Sequence, residues 1–126
     1  MAKYVDGFVL VVPKDKTAEY KKMAEEGALM WKKYGALEYF ECMGEDMATQ
    51  AMGGMKPLSF PEMAKANSDE VVWFSFIVFK SRKHRDEVNA KVMEAMKKQM
   101  KGQKDMQMPF DMKRMAYGGF QVEVEG

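Results

Sequence analysis

Apolar residues crowd or alternate in four short stretches of the chain and recur at helical spacing in two longer ones. Residues 4–12, YVDGFVLVV, are rich in β-branched and aromatic side chains and are closed by Pro13, which lacks a ladder donor, so they predict a first strand. Asp15 then offers an N-cap. Tyr20, Met23, Ala24, Gly27, Met30 and Trp31 follow at three- and four-residue steps as a helical stripe, and Gly35 stands where a left-handed residue would end it. Residues 36–43, ALEYFECM, predict a second strand, with Leu37 and Tyr39 on one side and Phe40 and Cys42 on the other. Residues 44–70 carry Gly53, Gly54, Pro57 and Pro61 without a sustained period, which predicts a long connection with a helical turn across 61–66. Residues 71–79, VVWFSFIVF, predict a third strand. Ser81 is the expected N-cap of a second helix, which keeps its spacing through Val88, Val92, Ala95 and Met96 and is expected to end at Gly102. In residues 115–125, MAYGGFQVEVE, Phe120, Val122 and Val124 alternate with Gln121, Glu123 and Glu125, the pattern of a half-exposed last strand.

The order is β-α-β-(loop)-β-α-β, an α+β arrangement of the ferredoxin-like type: a four-stranded antiparallel sheet with two helices on one face. Its 126 residues fit one domain, with the long loop at about 44–70. In VVWFSFIVF the odd positions (Val71, Trp73, Ile77, Phe79) and the even ones (Val72, Phe74, Phe76, Val78) are both apolar, so both strand faces call for burial. The first strand repeats the pattern, with Val5, Val9 and Val11 opposite Phe8, Leu10 and Val12. Two helices cover one face, and a second copy laid sheet to sheet is the economical cover for the other.

Charge changes the picture by exclusion. Lys and Arg number 20 against 19 Asp and Glu, a net charge of +1, so the chain lacks the field that draws proteins to nucleic acid or anionic membrane. The single cysteine, Cys42, rules out an intrachain disulfide and reads as a small buried hydrophobe in a reducing, cytoplasmic compartment. The first residues have a lysine and a short apolar run interrupted by Asp6, with no small-residue cleavage site, and no stretch approaches the roughly 20 apolar residues of a membrane span. Neither a metal site nor a cofactor is expected.

Four segments, YVDGFV (4–9), YGALEYFEC (34–42), SRKHRDEVNAKVM (81–93) and PFDMKRMAYGGF (109–120), resemble those of the YbaA-like bacterial proteins, a domain-of-unknown-function family, over nearly the whole chain. The resemblance implies the dimeric α/β-barrel superfamily, in which two ferredoxin-like subunits pack their sheets into a barrel, and it implies no established activity. The chain departs from the family's pattern in its methionine-rich residues 43–63 and in 97–108.

Candidate chemistry gathers in three places. Lys80, Arg82, Lys83, His84 and Arg85 surround the start of the second helix, where helix N–H groups with arginine or histidine donors suit a carboxylate or phosphate. The plainer reading is pairing along the helix, Arg82 with Asp86 and Lys83 with Glu87. His84, near the inward stripe, ordinarily serves as a hydrogen-bonded packing residue; in the functional reading Asp111 orients it or pairs with Arg82, Arg85 or Arg114. Asp6 and Ser75 interrupt apolar strand faces and are expected to look into a barrel cavity near Tyr39, Trp73, Tyr117 and Gln121, or to bond across the subunit interface.

Two further signals are weak. The 15 methionines invite Cu(I), with Met93, Met96 and Met100 at helical steps and Met106 and Met108 two apart, but their spread over every element suits core filling. YGGFQVEV (117–124) resembles an RNA-recognition signature placed in the wrong strand. The leading expectation is a homodimer that binds a small molecule, anionic or aromatic, in a pocket between sheet, second helix and PFD segment. The alternatives are a cofactor-independent oxygenase or isomerase using His84 and Asp111 as acid and base, and a structural or interaction protein with the long loop as its contact surface.

Overall fold

The computed structural model describes residues 2–99 and 108–126. Its elements run β1 (Tyr4–Pro13), α1 (Thr17–Lys33), β2 (Glu38–Met43), α2 (Phe60–Ala64), β3 (Glu70–Phe79), α3 (Arg82–Gln99) and β4 (Ala116–Gln121), an α+β, ferredoxin-like order. The strands form one antiparallel sheet in the order β2-β3-β1-β4. The two strands that are apolar on both sides take the centre, and those with polar residues on one side take the edges. Among the described residues no helix is long and apolar enough to cross a membrane.

Local chemistry sets the helix ends. The backbone N–H groups of Gly35 and Ala36 donate to the carbonyls of Lys32 and Trp31, a Schellman ending that needs the positive φ of Gly35, 114°. Because Ala36 closes that motif and is buried, β2 starts at Glu38 and not at residue 36. The expected Asp15 cap is not made: a 3-10 turn at Lys14–Lys16 leads into α1 instead. Ser81 does cap α3, its hydroxyl accepting from the His84 N–H at 3.1 Å. Gly102, the expected end of that helix, lies outside the described residues, as do Met100 and Met106.

In the long connection, Ser59 and Glu62 form a capping box that starts α2 just ahead of the expected turn. Met52 and Met55 bridge around Gly53–Gly54 and are exposed. β4 stops at Gln121 because β1 begins at Tyr4; the last rung is Val122 N–H to the Lys3 carbonyl.

Register decides which side each residue serves. Asp6, Phe8, Leu10 and Val12 of β1 share the inner, helix-covered face with Trp73, Ser75, Ile77 and Phe79 of β3. One core cluster joins Leu10, Val12 and Trp73 to Tyr20 and Ala24 of α1, and the other joins Ile77 and Phe79 to Val88 and Val92 of α3. On the outer face Val5 and Val9 lie beside Phe74 and Phe76, flanked by Phe40 and Phe120. Phe40 and Phe76 are packed ring to ring at 5.0 Å, yet Phe40, Phe74 and Phe120 stay 45%, 43% and 61% exposed. Cys42 belongs to this open face, opposite Phe74, and is therefore exposed and not the buried hydrophobe expected.

Candidate functional site

Between the inner face of the sheet and α1 lies a cavity of about 680 Å³, lined also by Met96 and Gln99 of α3 and by Met108, Phe110 and Met112. A volume of that order suits a small-molecule ligand. The sheet contributes Phe8, Leu10, Ser75 and Ile77 from its central strands and Tyr39 and Glu41 from edge strand β2. Helix α1 contributes Tyr20, Gly27 and Trp31 along the stripe that faces the sheet.

One polar arrangement stands in these apolar walls. The Tyr20 hydroxyl donates to Oε1 of Glu41 at 2.8 Å, and the Tyr39 hydroxyl donates to Oε2 at 2.6 Å, so both carboxylate oxygens are held by phenols. Burial, with the Glu41 charge beside them, pushes both phenols well above the ordinary tyrosine range. Tyr39 and Glu41 meet because residues two apart on a strand share a face. Gly27 makes room for them: a Cβ there would stand 2.9 Å from the Tyr39 hydroxyl. Each phenol oxygen keeps acceptor capacity toward the cavity.

Another carboxylate on the same face, this one fully buried, is handled differently. Asp6 receives Arg85 Nη1 of α3 at 2.6 Å, and the Asp6 and Arg85 side chains are only 7% and 18% exposed. The guanidinium also stacks on the Tyr4 ring, 4.8 Å from its centroid, and donates through Nε to Asp86. Asn89 donates to the other Asp6 oxygen at 3.4 Å and accepts from Trp31 Nε1 at 3.0 Å. Asn89 therefore links the ion pair to the indole that lines the cavity.

The structure sorts the sequence candidates accordingly. Tyr39 and Ser75 line the cavity. Asp6 faces the helices and not a barrel interior, because its register with Ile77 sets it on the inner side. Trp73 is buried against Tyr20 in the core, and its Nε1 has no partner among the described residues. Tyr117 is exposed and stacks on Phe8, and Gln121 is exposed and bonds Glu123.

The basic cluster does not face the cavity. Arg82 is exposed. Neither expected helix pair is present among the described residues, since Asp86 is taken by Arg85. His84 completes the α3 start, its Nδ1 accepting from the Lys80 N–H at 3.0 Å while Nε2 faces Gly35. At the other end of the sheet Arg114 binds both Glu70 oxygens, Asp111 and the Lys65 carbonyl. That guanidinium holds Glu70 and Asp111 below the usual carboxylate range.

His84 and Asp111 are therefore not partners. His84 packs on Phe79, which pairs with Tyr4, whereas Asp111 N–H reaches the Val11 carbonyl. Tyr4 and Val11 are seven residues apart on one strand, about 23 Å. Sequence reasoning missed Glu41, Tyr20 and Trp31 as site residues. The available signal was Glu41 two positions after Tyr39, an acid on the strand face that turns toward the helix.

The family described as "Protein of unknown function (DUF1428)" matches residues 3–112. The uncharacterized protein YbaA of Escherichia coli K12 is 41% identical over 123 residues, covering 98% of each chain, and the YbaA of Shigella flexneri matches to the same extent. Among solved structures, a dimeric ferredoxin-like protein from an uncultured marine organism is similar over 100% of both chains, with a TM-score of 0.56 and 8% identity, a likeness of fold.

Proposed function

From the premise that the chain belongs to the DUF1428 family of proteins of unknown function, we propose that it is a small-molecule-binding protein. Its site is the inner cavity, and its working form is a homodimer that buries the outer sheet faces. The observation that carries the binding reading is the cavity of about 680 Å³, apolar in its walls and with one polar cluster at Glu41. Such a site takes a small, largely apolar or aromatic molecule and orients it by a few polar contacts. Of the arginines at the α3 start that suggested an anion, Arg85 is engaged with Asp6 and Arg82 is exposed, and neither lines the cavity.

The dimer is supported by the exposed Phe40, Phe74 and Phe120 on one continuous face, in which two copies laid sheet to sheet would form an α/β barrel. A cytoplasmic setting fits the exposed free thiol of Cys42.

Titrating the purified protein with 2-naphthol while following tryptophan emission tests the cavity, since Trp31 is in its wall. Saturable binding at micromolar to millimolar concentration is expected. Gly27→Ala sets one methyl 2.9 Å from the Tyr39 hydroxyl, so the ring must shift and binding should weaken severalfold, while the better helix propensity of alanine, about 0.8–1 kcal/mol, offsets part of the cost in stability. Wild-type protein that does not bind, or a Gly27→Ala variant that binds unchanged, removes this site. Light scattering should give twice the 14.5 kDa chain mass, and Phe76→Lys should halve it; a wild-type monomer ends the dimer reading.

A further inference from the structure

The charge balance of the cavity is one-sided. Among the described residues its lining holds two carboxylates, Glu41 and Glu26, and no lysine or arginine. Glu41 is half-buried, and an acid in apolar surroundings is unfavourable unless hydrogen bonds or an opposite charge stabilise its ionised form. Tyr20 and Tyr39 provide two short hydrogen bonds, but phenols are neutral and leave the negative charge in place. On the same sheet face Asp6 receives a guanidinium, whereas among the described residues Glu41 receives none.

Among the described residues the lining also carries aromatic rings, interspersed with six methionines. Trp31 lies 6.1 Å from Tyr39 and Phe110 lies 5.9 Å from Tyr20, centroid to centroid. These pairs set four rings around the approach to Glu41, and Phe8 adds a fifth from β1. The negative face of an aromatic ring attracts a cation, most strongly where water is displaced. A carboxylate among aromatic rings favours a positively charged head on an apolar body, and it repels an anion of the same shape.

We infer that the cavity selects an organic ammonium, an aromatic or aliphatic amine whose charged nitrogen sits on Glu41 among Tyr20, Tyr39 and Trp31 and whose apolar part lies toward Phe110 and Met96. This rests on the cavity reading above and adds the charge of the ligand to it. Glu41 accepts hydrogen bonds from the ammonium beside those from the two phenols, and the phenol oxygens accept any N–H that Glu41 does not.

Three probes of similar size separate this inference from its premise: phenethylamine, cationic at neutral pH; 2-phenylethanol, neutral; and 3-phenylpropionate, anionic. Calorimetric titration of wild-type protein at low salt is expected to give at least tenfold tighter binding of phenethylamine than of 2-phenylethanol, with the anion weakest. Glu41→Gln keeps an acceptor for the phenols and should bring the amine to within about twofold of the alcohol. If the alcohol binds wild-type protein as tightly as the amine, the ammonium inference is wrong while the cavity reading stands. If none of the three binds up to several millimolar, both fall. Wild-type selectivity decides the matter even if the Glu41→Gln variant fails to fold.

Discussion

Asp6 and Glu41 hang from the same face of one sheet, on β1 and β2 with β3 between them, yet the chain treats them in opposite ways. Asp6 is closed in by Arg85 and Asn89 and becomes part of what fastens α3 to the sheet. Among the described residues Glu41 is met by tyrosine hydroxyls alone, and it borders open space. An acid buried with a guanidinium is a fastening whose loss is felt as instability. An acid half-buried with phenols beside a cavity is the group that the proposed ammonium would meet. A buried acid alone thus does not mark a site; what distinguishes Glu41 is that, among the described residues, phenols and not a cation meet it, beside open volume.

The most forceful way to break the comparison is Arg85→Met, which leaves Asp6 buried and unpaired. It should destabilise the protein by about 3–5 kcal/mol, a fall in Tm of about 10–20 °C for a chain of this size. Arg85→Met combined with Asp6→Leu should recover most of that loss, because an apolar pair replaces the ionic one. If calorimetry finds the single variant within 1 kcal/mol of wild type, Asp6 is not the fastening described.

The Glu41 side should show itself in alkali. Both phenols titrate above their ordinary value in the folded chain, mainly through burial, whereas in the unfolded chain they lose protons near pH 10. The unfolded state then binds fewer protons, so their contribution is complete below about pH 10 and declines as pH rises beyond it. Absorbance at 295 nm should show two of the five tyrosines ionising only as the protein unfolds. Ionisation of all five near pH 10 in folded protein would remove the shielded Tyr20–Glu41–Tyr39 arrangement.

His84→Ala should have the smallest effect. The imidazole makes one hydrogen bond to the Lys80 N–H at the α3 start, so a loss of about 1 kcal/mol is expected, with probe binding unchanged. A large binding defect in His84→Ala would bring the distant histidine back into the site.

Alternation and helical spacing made the element order legible, and the apolar character of both sides of β1 and β3 suits the central positions the two strands take. The same two-sided character hides which side the helices take, and that is why Asp6 and Ser75 read from sequence as facing a barrel cavity or a subunit interface. Basic residues around His84 drew attention by their density in sequence, but α3 turns Arg85 toward Asp6 and leaves Arg82 in solvent. Glu41 looked like the polar half of an edge strand. Its role depends on α1 bringing Tyr20 across 21 residues to meet it, a contact that no local spacing encodes.

The central position of β1 also bears on how the chain is born. β1 is made first, but its partners are β3, which ends at Phe79, and β4, which ends at Gln121. At about 5–20 residues per second of synthesis, the strand waits roughly 3 to 13 seconds for its first neighbour. Until then a nascent segment with two apolar sides lacks both of the strands that will flank it, so closing the centre of this sheet depends on contacts distant in sequence.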